Sequence, residues 1–239
     1  TSLANIEELQ KDLAMDELCA YYIVMKSRAL KRRQQQAMAL PRADGLGRRL
    51  LDNLGFSLTS AQVRVVGETL TDLESTTPML RLIQGDVGSG KTVVAAFAAI
   101  RAVEHKSQAA IMAPTELLAE QHFQSFSNWL TPLGIKVVFL TGQMQANVKR
   151  ESLAEIADGT AQVIVGTHSL FQDRVNFTRL SLVIIDEQHR FGVHQRMILQ
   201  NKGNFPHQLV MTATPIPRTL TMTLYADMDV SIINELPKG

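Results

Sequence analysis

Gly85-Asp86-Val87-Gly88-Ser89-Gly90-Lys91-Thr92 fits the pattern G-x-x-x-x-G-K-[ST] at every fixed position. Glycines let a backbone close around an anion with several N–H groups turned inward. Lys91 adds a mobile positive charge, and Thr92 adds a hydroxyl, a hard oxygen of the kind Mg²⁺ takes. A helix opening at Lys91 would add the positive end of its dipole. Together these groups can hold a nucleotide's phosphates. Further along, the apolar run Leu182-Val183-Ile184-Ile185 ends in Asp186-Glu187. Asp186 is an anionic partner for the metal, and Glu187 is placed to orient or deprotonate a water for attack on a γ-phosphate. Alone, such a pair after a strand commonly caps a helix. Beside a phosphate loop it points to nucleotide hydrolysis rather than binding alone.

The elements that must position these residues are legible as pattern. Short, β-branched apolar runs at 79–84, 109–113, 136–140, 162–166, 181–186, 208–212 and 230–233 read as buried strands. Between them, 92–104, 116–130 and 147–157 read as helices. Strands alternating with helices of that length predict βαβ units and a mainly parallel sheet with helices on both faces. In such a sheet ligands collect at the carboxyl ends of the strands, which is where the loop and the acidic pair fall. The text changes near residue 50, so a helical linker over 1–50 is expected to precede a nucleotide-binding lobe over 51–239. Residues 3–40 read as one long or broken helix, with Leu3, Ile6, Leu9, Leu13 and Leu18 near helical spacing. Its second half carries Lys26, Arg28, Lys31, Arg32 and Arg33, either a solvated face or a phosphate-contacting helix.

Composition removes other classes. With 239 residues, 45% hydrophobic content and 24 Lys+Arg against 23 Asp+Glu, the chain is too apolar and too evenly charged to be disordered. The longest apolar run, 93–100, is eight residues; a bilayer span needs roughly 20, so no transmembrane helix is expected. One cysteine, Cys19, excludes an internal disulfide and any multi-cysteine metal site. Its expected burial fits a reducing compartment, and a cytoplasmic location is expected. The six histidines form no H-E-x-x-H pattern. A net charge of +1 means that any contact with nucleic acid is local rather than a global field. No N/T-K-x-D guanine reader of a GTPase occurs. The chain opens on Thr1 and closes on Gly239, and both ends read as cut from a longer protein.

Asp186-Glu187-Gln188-His189-Arg190-Phe191-Gly192-Val193 resembles motif II of the RecG family, superfamily 2 DNA helicases that remodel branched DNA. The phosphate loop is similar to that family's motif I. Ala113-Pro114-Thr115-Glu116-Leu117-Leu118-Ala119-Glu120-Gln121-His122 is similar to motif Ia, Gly166-Thr167-His168-Ser169-Leu170 to Ib, and Thr212-Ala213-Thr214-Pro215-Ile216-Pro217-Arg218-Thr219 to III. The transcription-repair coupling translocases are similar but typically have a second Glu where this chain has Gln188, which ranks the RecG family first. The resemblance covers residue 54 to the end. It implies a RecA-like P-loop NTPase domain, the first motor lobe of an ATP-dependent helicase using ATP and Mg²⁺. It implies branched DNA as partner (forks and Holliday junctions), no membrane, and a second motor lobe and wedge domain elsewhere in the same protein. The motor lobe of a transcription-repair coupling type translocase or of an RNA-directed helicase of the superfamily is the alternative.

Roles carried over by the resemblance are expectations. Gln62 would hydrogen-bond the adenine edge and Phe56 would pack on the base, unless Phe56 is a core residue. Pro114, Thr115, Gly142, Thr167 and His168 would touch the backbone of a single strand, or serve only as turns. Gln188, His189, Thr212 and Thr214 would couple hydrolysis to movement; Thr212-Ala213-Thr214 alone reads equally as a Ser/Thr turn.

Overall fold

The computed structural model describes residues 13–20, 22–24, 26–27, 30, 32, 34–43, 45–186, 205–214 and 228–236. Helices α1 (Leu46–Asn53) and α2 (Ser60–Leu73) precede β1 (Leu80–Gly85). Then come α3 (Lys91–Glu104), β2 (Gln108–Met112), α4 (Glu116–Leu130), β3 (Val137–Leu140), α5 (Ala146–Asp158), β4 (Val163–Gly166) and β5 (Leu180–Asp186). Strands β6 (His207–Thr212) and β7 (Asp229–Ile233) complete a seven-stranded sheet in the order β3-β4-β2-β5-β6-β1-β7. Every neighbouring pair is parallel. Each strand lies within one residue of its expected limits, because a strand covered on both faces reads as a bare apolar run. Strand β5 shows this directly, with all of Leu180–Asp186 buried.

The pleat divides the core in two. Ile111, Val163, Leu182, Ile184, Leu209 and Met211 face one layer, built from α1, α2, α3 and the Phe126–Leu130 end of α4. Ala110, Met112, Ile164, Val183 and Ile185 face the other, where α5 contributes Ile156 and the 3₁₀ turn His168–Phe171 contributes Leu170. Helix α3 is buried at every position from Val93 to Val103. The longest apolar run in the sequence is therefore a helix packed between the sheet and α2.

The region before α1 departs from expectation. Described residues from 13 to 32 are helical, but 36–43 are not. This stretch is held against the lobe by its own backbone: Ala37 N–H donates to Thr76 O at 2.7 Å, and Leu40 N–H to Leu73 O at 2.8 Å. Arg101, buried on α3, donates to Leu40 O at 3.3 Å. Ala37, Leu40 and Leu50 are core residues. The composition change near residue 50 therefore falls inside α1 and is not a packing boundary. Cys19, expected to be buried, is exposed, because the helix carrying it turns Leu13, Met15, Leu18 and Ile23 to solvent as well. Within that basic helix Lys26 is exposed, with its ammonium 5.6 Å from the Tyr22 ring. Arg28, Lys31 and Arg33, like Leu3, Ile6 and Leu9, lie outside the described residues. Among the described residues no helix is long and apolar enough to cross a membrane.

His207 pins the extended stretch to the sheet. Fully buried at the start of β6, its Nδ1 accepts from Met79 N–H at 3.0 Å and its Nε2 donates to Met38 O at 2.8 Å. The bond from Met79 requires an unprotonated Nδ1 and hence the neutral ring, and burial holds its pKa below the ordinary 6.5 despite the opposing pull of Met38 O and Asp72. The unfolded chain binds a proton that the folded ring refuses. This contribution is therefore complete above the unfolded pKa and is lost as pH falls below it. Wild-type denaturant stability should fall as pH drops from about 7.5 through the ordinary histidine value of 6.5. His207→Leu should be less stable by about 1–3 kcal/mol at the upper pH and should show a shallower decline; an unchanged slope would contradict the assignment.

Candidate functional site

Parallel register aligns the carboxyl ends of β1, β6 and β5. Gln84 pairs with Thr212, Ile83 with Met211, and Met211 in turn with Asp186. The phosphate loop and Asp186 thus share one end of the sheet. They are not on adjacent strands: β6 lies between, which puts β5 about 9.6 Å from β1. Asp186 has the same parity as Leu182 and Ile184, so the pleat turns it to the face covered by α3 and α4.

The loop is shaped by what its glycines exclude. A Cβ on Gly85 would lie 2.5 Å from Ser89 Oγ and 3.1 Å from Ile233 O on the neighbouring strand. Gly88 and Gly90 have φ of +82° and +85°, which side chains disfavour. Ser89 N–H donates to Asp86 O at 3.1 Å, closing the turn. Asp86, Val87 and Gly88 form an exposed tip. Ser89 Oγ is buried with no protein partner, a donor suited to an anion in the cradle. Lys91, the first residue of α3, sends Nζ to Gly85 O at 2.6 Å and Asp86 O at 3.0 Å, so its ammonium lies against the loop. Thr92 follows, partly exposed, in the first turn of α3. These groups fit a phosphate chain and a hard divalent cation.

Gln62 plays a part that the sequence reading did not foresee. It forms a capping box with Thr59, its Oε1 accepting from Thr59 N–H at 2.9 Å while Thr59 Oγ1 accepts from Gln62 N–H at 3.2 Å. Its Nε2 donates to Ser89 O at 2.8 Å. At 1% exposure this amide braces the phosphate loop from behind. Phe56 is 45% exposed; it is not a core residue, and its ring is open to a flat ligand. Glu235, after β7, accepts from Ala61 N–H at 3.1 Å and from Ser60 Oγ. The hydrogen bond from Ala61 N–H, helped by that of Ser60, holds its carboxyl below the usual range. Glu235 thus caps the helix that carries Gln62.

Asp186 is buried at the end of β5, and its Oδ2 lies 2.7 Å from Nε2 of His122, a buried residue of α4. Glu187, Gln188 and His189 lie outside the described residues. Just past β6, Thr214 N–H donates to Thr212 Oγ1 at 3.1 Å, so the Ser/Thr turn is present. The residues expected to touch a strand all follow β2, β3 or β4 at the same end of the sheet. Pro114 is half-buried, while Thr115, Gly142 and His168 are exposed. Thr115 also caps α4, accepting from Leu118 N–H at 3.3 Å. Thr167 is the exception: it is buried, and its hydroxyl meets Ser169 Oγ at 3.2 Å, so it shapes the turn. Among the described residues no cluster of three or more His, Cys, Asp or Glu forms a separate metal site.

Residues 59–223 match the DEAD/DEAH box helicase family. ATP-dependent DNA helicase RecG of Escherichia coli (strain K12) is 53% identical over 234 residues, 96% of this chain and 34% of that protein. RecG of Synechocystis sp. (strain ATCC 27184 / PCC 6803 / Kazusa) is 50% identical over 239 residues, 98% of this chain and 29% of that protein. The chain spans about a third of the length of these curated relatives. The structure of RecG bound to a three-way DNA junction superposes with a TM-score of 0.85 at 37% identity, covering 100% of this chain and 32% of that one. A DEAD box protein from Methanococcus jannaschii superposes at 0.60 with 22% identity, covering 80% and 53%, and shares the fold.

Gly90→Ala should test the loop geometry. The left-handed backbone alone costs about 1–2 kcal/mol, and the new Cβ would fall 2.2 Å from Gln62 Nε2. Denaturant unfolding should show at least that loss; a wild-type midpoint would contradict the observed loop.

Proposed function

This chain belongs to the DEAD/DEAH box helicases, and from that premise we propose that it is the ATP-binding first motor lobe of a RecG-type DNA helicase. The whole protein would couple ATP hydrolysis to unwinding and branch migration of forks and Holliday junctions in repair and recombination. The observation that carries this reading is the shared end of β1, β6 and β5, with the glycine-lined loop at one side and buried Asp186 at the other.

The chain's groups divide the work. Loop N–H groups and Lys91 bind the β- and γ-phosphates, and the Gln62 contact with Ser89 O keeps the loop shaped to receive them. Phe56 offers its face to the adenine. Thr92 and Asp186 supply the oxygens that would hold Mg²⁺, which when bound neutralises charge developing on the phosphoryl oxygens. Glu187 takes the proton of the attacking water. Thr115, Gly142 and His168 meet a sugar–phosphate backbone through hydroxyl, N–H and imidazole groups, without reading sequence. A facing lobe would supply the arginine that such hydrolysis uses, so the chain alone should bind Mg·ATP weakly and turn it over slowly.

In the intact protein, Lys91→Ala should cut DNA-stimulated ATP hydrolysis by at least ~10²-fold while leaving thermal unfolding unchanged. Glu187→Gln should keep ATP affinity and lose turnover. Unwinding of forked DNA by the Lys91 variant at the wild-type rate would overturn the proposal. Stimulation by RNA rather than forked DNA would favour the RNA-directed alternative.

A further inference from the structure

His122 is six residues beyond Glu116, where α4 begins. With Phe126 and Leu130 it forms an i, i+4, i+8 stripe along the buried face of that helix. Phe126 and Leu130 are fully buried in the layer that covers the sheet. His122 continues the stripe beyond the end of the core, where the sheet stops and Asp186 begins. The imidazole therefore stands where packing requires a large side chain and chemistry offers a carboxylate. Its Nε2 lies 2.7 Å from Asp186 Oδ2, and both side chains are about nine-tenths buried. An ionised carboxylate has no proton to give, so Nε2 is the donor. One carboxylate oxygen is thereby taken and the rotamer held, which leaves Oδ1 as the oxygen to offer elsewhere.

The other buried histidine among the described residues, His207, has both ring nitrogens committed to backbone at the amino end of the sheet. Of the buried arginines among the described residues, Arg81 is likewise committed to Asp72 at 2.7 Å and to Ser231, and Arg101 to Leu40 O. Those groups are spent on holding elements together. His122 instead spends its hydrogen bond on a carboxylate at the mouth of the phosphate site.

We infer that His122 is a positioning residue for the metal: its hydrogen bond to Asp186 Oδ2 fixes the carboxylate so that the other oxygen serves Mg²⁺. The inference rests on the motor-lobe reading above. Partners behind a metal-binding carboxylate orient it and tune its basicity, and losing one costs roughly 10–100-fold in metal affinity or activity.

The test compares His122→Gln, which keeps an N–H donor, with His122→Met, which has similar length and none, in the intact protein. Mn²⁺ binding to the ADP complex is followed by electron paramagnetic resonance, and ADP affinity is measured separately in EDTA. His122→Met should weaken Mn²⁺ binding ~10–100-fold and raise the Mg²⁺ half-saturation for ATP hydrolysis in parallel. ADP affinity without metal should not change, and His122→Gln should recover most of the loss. In an Asp186→Asn background the Met substitution should have no further effect on Mn²⁺ binding. Wild-type Mn²⁺ affinity in His122→Met would overturn the inference, as would equal losses in Met and Gln at matched thermal stability. If His122→Met does not fold, poor Mn²⁺ binding by a folded His122→Gln overturns it and near-wild-type binding supports it. ADP binding in EDTA that survives Lys91→Ala would instead count against the motor-lobe reading itself.

Discussion

The parallel register of β1, β6 and β5 is the constraint on which the site depends. A parallel ladder points every strand the same way, so loops that follow the strands gather at one end. Gln84 opposite Thr212, and Asp186 opposite Met211, put the phosphate loop, the Thr212 turn and the acidic strand end in a single row. A one-residue slip of β5 would turn Asp186 to the other face, away from α3 and α4. Leu182 and Ile184 pack in one core layer and Val183 and Ile185 in the other, so such a slip would exchange two fitted sets of side chains. Core packing therefore fixes the direction of the carboxylate.

A second layer of interactions keeps the row's loops in shape. The phosphate loop must be open to a ligand, so it cannot be stiffened by filling it. It is stiffened from behind, by Gln62 on Ser89 O and by the close approach of Ile233 to Gly85. Glu235 and Thr59 in turn hold the start of α2. Asp186 is treated alike, with His122 behind it. Gln62 and His122 are both buried polar side chains on helices, and their hydrogen bonds cost little solvation because both partners are satisfied.

Strands and major helices were legible because doubly covered strands read as apolar runs, and the phosphate loop because its residue types are dictated locally. Helix α2 also has a readable signal, the Thr59-x-x-Gln62 capping box. What was not legible depends on contacts distant in sequence. Strand order put β6 between β1 and β5. His122 and Asp186 are 64 residues apart, and nothing near either one announces the other. The stretch 36–40, Gln-Ala-Met-Ala-Leu, continues the helix-compatible text before it, but its backbone groups pair with Thr76, Leu73 and His207 instead of with themselves. Cys19 misled because a cysteine among leucines suggests a buried face, and this helix turns those leucines outward.

The central claim is that one ligand bridges the two ends of this row. Its most direct measurement is a crystal structure with Mg²⁺ and a non-hydrolysable ATP analogue. The account predicts phosphates among the N–H groups of the loop with Lys91 beside them, and the metal between Thr92 and Asp186. A nucleotide seated elsewhere, or a metal that engages the phosphates without reaching Asp186 directly or through one water, would contradict it.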